Sequence, residues 1–138
     1  MQNHELGWDF CEFLVNSIKP SNTLKTFQRL QASELLSILL RTSALNQELA
    51  SKNMTKMIEP LTNAIIESIG AAEIIKNQKV KKTIQIVGLW TKAAKLVENT
   101  EVRDVQGTRV IKAIEAVCEK DKAFGNLKSK VKEIKKTI

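Results

Sequence analysis

The sequence predicts an all-α protein. It should form a single compact domain, residues 1–138, of about six to eight short helices in an orthogonal bundle or a helix-hairpin stack. Apolar residues recur at three- and four-residue spacing from end to end, which is the pattern of helices with one buried face. Only five Gly and two Pro are present, too few for the many turns of an all-β chain. The length of 138 residues, with 43% apolar and 27% charged residues, is typical of one globular domain.

Two helices are predicted near the amino end. The first runs from Glu5 to Lys19, because its apolar residues follow helical spacing: Leu6, Phe10, Phe13, Leu14 and Ile18. Pro20 ends this helix, since the residue before a proline avoids the helical region. Asn22 is a suitable N-cap for a short second helix that reaches Leu30.

The next predicted helices are strongly apolar. Ser33 caps a helix that is apolar nearly all round, so we expect it to be central and mostly buried. After a break at 41–46, helical spacing resumes and continues to Ile69. Pro60 either kinks this segment or lies in the first turn of a new helix. Gly70 is placed to terminate it as the C′ residue.

The second half predicts three further helices. A long helix runs from about Lys79 to Glu98 and is followed by a polar loop, Asn99 to Gly107. In this loop, Asp104 is available to pair with Arg103 or to cap a helix. Thr108 opens the next helix, Gly125-Asn126 interrupts it, and residues 127–138 form a basic amphipathic C-terminal helix.

The residue inventory disfavours an enzyme and a metal protein. Cys11 and Cys118 are far apart and no Cys/His cluster exists, so we expect no metal site. The only histidine is His4, there is no tyrosine, and the common phosphate-loop, nucleophile-elbow and zinc-protease motifs are missing. General acid–base catalysis near neutral pH would therefore lack suitable groups. We predict a non-enzymatic protein that uses no cofactor.

Targeting signals are also missing from the sequence. The first ten residues lack a basic start and an apolar core, so they do not resemble a secretory signal. The longest uncharged run, Thr83 to Thr91, is too short to span a bilayer. These features, with two cysteines expected to be reduced, predict an intracellular protein of unspecified compartment.

The charge is unevenly distributed along the chain. The 22 Lys and Arg exceed the 15 Asp and Glu, which gives a net charge of +7. Residues 1–69 carry a net charge of −1 and residues 70–138 a net charge of +8. A basic half attached to a nearly neutral half indicates a polyanionic partner for the second half.

A lysine-rich stretch and the C-terminal helix supply the candidate binding residues. No acidic residue occurs between Glu73 and Glu98, and several of the lysines there share one helix stripe with Gly88. Gly88 would allow another backbone to approach this stripe closely. The predicted partner- or polyanion-binding residues are Lys76, Lys79, Lys81, Lys82, Lys92, Lys95, Lys128, Lys132 and Lys135. Their alternative role is to keep a solvated surface soluble.

The C-terminal helix has one apolar edge and a wide basic surface. Its edge consists of Leu127, Val131, Ile134 and Ile138. Docking on the protein's own core is the favoured use of this edge, ahead of nucleic-acid binding, a partner helix or a membrane. Membrane binding is disfavoured because Phe124 is the only aromatic residue nearby.

The stretch from Lys79 to Trp90, KVKKTIQIVGLW, resembles part of the polymerase-tail-interacting domains. These domains are helical stacks that bind phosphorylated peptides, so the resemblance implies a helical fold and a phosphorylated partner. It covers roughly a tenth of the chain, and no peptide-binding residue carries over from it. Trp90 itself could stack on a base, but its place on the apolar stripe favours a buried anchor.

Three functions are compatible with these observations. The favoured one is a helical interaction or adaptor domain whose basic surface binds an acidic or phosphorylated protein. The first alternative is a nucleic-acid-binding protein without sequence preference, since lysine greatly outnumbers the arginine that reads guanine. The second alternative is a subunit of a homo- or hetero-oligomer, in which the terminal apolar edge completes a neighbour's core.

Overall fold

A computed structural model describes residues 9, 12–18, 26–43, 47–72, 77–120 and 122–138. Its helices are α1 (12–18), α2 (Thr26–Ser43), α3 (Gln47–Ala72), α4 (Asn77–Ala94), α5 (Thr100–Lys120) and α6 (Lys128–Thr137), with a 3₁₀ turn over Lys122–Leu127. Among these residues only 95–99 and 138 are not helical, so the predicted all-α class is confirmed. None of the described helices is both long and apolar enough to cross a membrane.

Helices α3, α4 and α5 form the centre of the packing. Helix α3 packs against both α4 and α5, while α2 lies against α4. Fully buried side chains from each central helix meet there, including Ile65, Val87 and Ile114. Their removal from water is the main force that holds these helices together.

Trp90 is the largest fully buried side chain of the described core and confirms the predicted anchor. Its indole Nε1 donates a hydrogen bond of 3.0 Å to Thr62 Oγ1 on α3. The Thr62 hydroxyl donates in turn to the Ile58 carbonyl at 2.7 Å. The polar end of the indole is thus satisfied inside the core, which removes the penalty of burying an unpaired N–H.

The C-terminal helix docks on its own chain, as predicted. Leu127 and Ile134 are fully buried and Val131 nearly so, and α6 packs against both α4 and α5. The apolar edge therefore completes the core of the same chain. The lysines of α6 are left on the remaining surface of the helix.

Several predicted helix boundaries are wrong. Helix α2 is continuous, so Ser33 is a buried residue within it and not an N-cap. Helix α3 runs through Pro60, so Pro60 does not begin a new helix, and it continues past Gly70 to Ala72, so Gly70 does not end it. Burial of an apolar face against the core outweighed the weak local preferences of these residues.

The largest error concerns the predicted loop from Asn99 to Gly107. Helix α5 already begins at Thr100, and Asn99 Oδ1 accepts the Val102 backbone N–H at 3.2 Å as an N-cap. The helix therefore does not open at Thr108. Gln106 and Gly107 are buried against the core, so this polar stretch presents one face to the interior.

Two exposure predictions also need correction. The α2 segment expected to be mostly buried leaves Leu35 and Ile38 about half exposed, because only one face of this helix meets α4. In α1, Phe13 is exposed while Val15 is buried. The predicted residues Leu6 and Phe10 of the first helix lie outside the described residues.

Candidate functional site

Lys92 connects α4 to α2. Its Nζ donates a hydrogen bond of 2.8 Å to Ser37 Oγ, although the lysine remains exposed to water. Lys92 belongs to the predicted lysine stripe together with Lys95, which lies almost one turn further along. Lys92 lies in the last turn of α4, but its ammonium is engaged with α2 and it does not line the groove described below.

Gly88 marks the place where α6 crosses α4. A Cβ atom added to Gly88 would lie 3.9 Å from Lys130 Nζ, which reaches over from α6. The neighbour that the structure places at Gly88 is thus a side chain of the same protein. Lys130 also pairs with Glu133, at 3.3 Å between Nζ and Oε2.

A groove of about 550 Å³ lies beside this crossing, between the ends of α4, α5 and α6. We call it the basic groove. Its lining comes from three helices and the turn after α4: Thr91, Lys95, Arg103, Glu133, Lys136 and Thr137. Of the predicted binding residues whose side chains the structure describes, Lys95 alone lines it.

The basic groove carries excess positive charge. The lining cations are Lys95, Arg103 and Lys136, and the single lining carboxylate, Glu133, is already paired with Lys130. Arg103 is ion-paired with Asp104, which does not line the groove, so the excess charge comes from the two lysines. Within the described part of the chain, no acidic side chain forms an ion pair with Lys95 or Lys136. Two free ammonium groups beside a guanidinium attract anions from solution.

Arg103 is held in a fixed orientation by its neighbour. Its Nε donates to Asp104 Oδ1 at 3.2 Å, and the Arg103 side chain is only 21% exposed. The two Nη groups make no hydrogen bond to any described residue. They form a pair of donors that can hold two oxygens of one phosphate or carboxylate.

The two threonines of the groove are not free donors. Thr91 Oγ1 donates to the Gly88 carbonyl at 2.9 Å, and Thr137 Oγ1 donates to the Glu133 carbonyl at 2.9 Å. Anion recognition in the basic groove therefore depends on its charged side chains. Among the described lining residues there is no histidine or cysteine.

The remaining predicted lysines do not converge on this groove. Lys132 and Lys135 are exposed on α6 and line neither the basic groove nor a second, smaller groove. Lys128 lines that second groove, which has a volume of about 440 Å³. Lys76 lies outside the described residues, as do the side chains of Lys79, Lys81 and Lys82, whose backbone is part of α4.

The second groove has mixed charge. Lys128 and Lys122 share it with two carboxylates from α5, Glu115 and Glu119. The same groove contains the half-buried Cys118, whose thiol pKa is raised above 9.0 by burial, while Lys128 acts in the opposite direction. A raised pKa leaves the thiol protonated and unreactive at neutral pH. Opposite charges here balance one another, so this groove does not attract anions as the basic groove does.

The sequence reasoning missed Arg103 and Lys136. The sequence analysis places Arg103 in a loop. Asn99 is a favourable N-cap residue, and this signal could have placed Arg103 on a helix that begins at residue 100. Lys136 belongs to a helix in which most surface positions are lysine, so nothing in the local sequence distinguishes it from its neighbouring lysines. Only the packing of α6 against α4 brings it beside Lys95.

Comparison with known proteins identified no relative. No family model, no curated protein and no solved structure matches the chain. The resemblance of the segment from Lys79 to Trp90 to the polymerase-tail-interacting domains is accordingly not supported by any family match.

Proposed function

We propose that this protein is a non-enzymatic interaction domain that binds an acidic or phosphorylated segment of a partner protein in the basic groove. One observation carries the proposal. Cationic side chains from the turn after α4, from α5 and from α6 line one groove, and the only carboxylate among its described lining residues is already neutralised.

The size and donor geometry of the groove favour a protein segment. A volume of about 550 Å³ is sufficient for one phosphorylated or acidic side chain with its neighbouring residues. The Arg103 donors can hold two oxygens of the anionic group, and Lys95 and Lys136 can contact the rest of its charge. A long polyanion such as nucleic acid would instead use an extended basic surface.

The proposal is tested with fluorescently labelled peptides. A serine-containing peptide is compared with its phosphoserine and glutamate versions by fluorescence anisotropy at low salt. We expect the wild-type protein to bind the phosphoserine and glutamate peptides more tightly than the serine peptide. Equal binding of all three would refute recognition of negative charge.

The groove is tested by charge reversal at matched positions. Lys95→Glu with Lys136→Glu should weaken phosphopeptide binding at least about tenfold, because each change reverses a full charge at about 6 Å from the ligand. Lys56→Glu with Lys112→Glu makes the same change in net charge at exposed positions outside the groove. This control should lose much less affinity. An equal loss in both double variants would mean that the overall charge, and not the groove, attracts the peptide.

Salt dependence separates the protein partner from nucleic acid. Oligonucleotide binding to Lys and Arg releases condensed counterions, so its affinity falls steeply between about 50 and 200 mM salt. If the wild-type protein binds an oligonucleotide more tightly than the phosphopeptide and shows that steep dependence, the nucleic-acid alternative replaces this proposal.

A further inference from the structure

Lys130 does not line the basic groove, yet its position gives it control over the groove's charge. We infer that Lys130 sets the affinity of the groove for anions by neutralising Glu133, and that Gly88 provides the space Lys130 needs. This inference rests on the proposed function, since it concerns the same groove.

Glu133 is the residue that opposes anion binding. It is the only carboxylate among the lining residues that the structure describes, and its side chain is 51% exposed, so it faces the same solvent as an incoming anion. An unpaired carboxylate at this position would repel a phosphate. Lys130 lies one turn earlier on the same helix and holds Glu133 Oε2 at 3.3 Å.

One partner of the Lys130–Glu133 pair is shielded from water, while Glu133 is half exposed. The Lys130 side chain is only 21% exposed, because it lies across α4 and not in open water. Reduced contact with water weakens the screening of the pair by salt. Lys130 is therefore held where its charge acts on Glu133.

A small residue at position 88 leaves room for this arrangement. The Nζ atom of Lys130 lies 3.9 Å from the position of a Cβ on Gly88, which is ordinary van der Waals distance for a methyl group. A longer side chain at this position would occupy the space of the ammonium group. We expect Lys130 then to be displaced towards solvent, where its pairing with Glu133 would be weaker.

Single and double variants of the pair test the inference. Lys130→Met leaves Glu133 unneutralised, and we expect phosphopeptide affinity to fall about threefold at low salt, the effect of one charge at about 6 Å in water. Glu133→Gln should raise affinity by a similar factor. The Lys130→Met, Glu133→Gln double variant restores the net charge of the wild-type groove and should bind as the wild type does.

Substitutions at Gly88 provide an independent test that leaves both charges in the chain. Gly88→Leu should weaken binding as Lys130→Met does, and adding Glu133→Gln should repair it. Gly88→Ala is the matched control, because its methyl group fits, and its affinity should equal that of the wild type. Circular dichroism melting curves establish that each variant remains folded.

The possible outcomes separate the inference from the proposed function. Affinity is measured both with the labelled phosphoserine peptide and with inorganic phosphate, the latter by chemical-shift titration. If the wild type binds neither, the proposed function and this inference both fail. If Lys95→Glu abolishes binding but Lys130→Met leaves it unchanged, only the inference fails. It also fails if the double variant binds as weakly as Lys130→Met, since Lys130 would then act as a direct ligand-binding cation.

Discussion

Replacing Gly107 by alanine should destabilise the protein, although alanine is the better helix former. A Cβ atom at Gly107 would lie 2.8 Å from Trp90 Cη2, 3.2 Å from Trp90 Cζ2 and 2.8 Å from Ile138 Cγ2. The indole cannot retreat easily, because Trp90 is fully buried and its Nε1 is bonded to Thr62. Ile138 is only partly buried and can move, but that would reduce its packing on the core.

The expected change in the free energy of unfolding follows from two opposing effects of the added methyl group. Overpacking a core typically costs about 1–3 kcal/mol, and the upper half of this range applies here because a rigid ring is involved. The gain in helix propensity from glycine to alanine is about 1 kcal/mol. The free energy of unfolding should therefore fall by about 1–2 kcal/mol, which lowers Tm by about 4–8 °C in a chain of this length.

Urea denaturation followed by far-UV circular dichroism measures this change. Gly70→Ala is the matched control, since Gly70 is also helical but a Cβ there would meet no atom within 4 Å. The control should be as stable as the wild type or more stable by up to about 1 kcal/mol. If Gly107→Ala is stabilised to the same extent as the control, the close packing of α5 on Trp90 is wrong.

Three further predictions concern the core and the thiol. Thr62→Val should cost about 1–3 kcal/mol in urea denaturation, because it leaves the buried Trp90 N–H without an acceptor, and an unchanged midpoint would contradict that hydrogen bond. Ile134→Ala should cost about 2–5 kcal/mol, because α6 is anchored by this fully buried side chain; a loss below about 1 kcal/mol would show that α6 is not docked. In a Cys11→Ser background, the pH at which alkylation of Cys118 reaches half its maximal rate should be higher than for an ordinary exposed cysteine, since burial raises the thiol pKa of Cys118. The same shift means that the folded state binds more protons than the unfolded state at high pH, so the contribution of Cys118 to stability is lost as the pH rises above 9.0. Mass spectrometry of the alkylated protein measures the rate, and rapid modification at neutral pH would contradict the shift.

Much of the architecture could be predicted from local spacing alone. The apolar edge of the last helix and the position of Trp90 on an apolar stripe are both properties of a single helix, and both are confirmed by burial. The boundaries of the helices were less predictable. Residues 99–107 look polar, and their helical state depends on burying Gln106 and Gly107 against other helices.

The candidate site was only partly predictable for the same reason. Lysine spacing places Lys92 and Lys95 on one stripe of α4, but the structure engages Lys92 with Ser37 of α2. Lys95 instead meets Arg103 and Lys136, which are distant in sequence. Residues of three different elements can be predicted to line one groove only when the relative orientation of those elements is known.

The periodicity of apolar residues by itself determined the helical class and the buried edge of α6, because helix geometry relates nearby positions in a fixed way. Tertiary packing decided which charges meet. The crossing of α6 over α4 places Lys130 beside Gly88 and sets Lys136 in the same groove as Lys95. That crossing depends on how side chains of different helices fit together, which no single helix encodes.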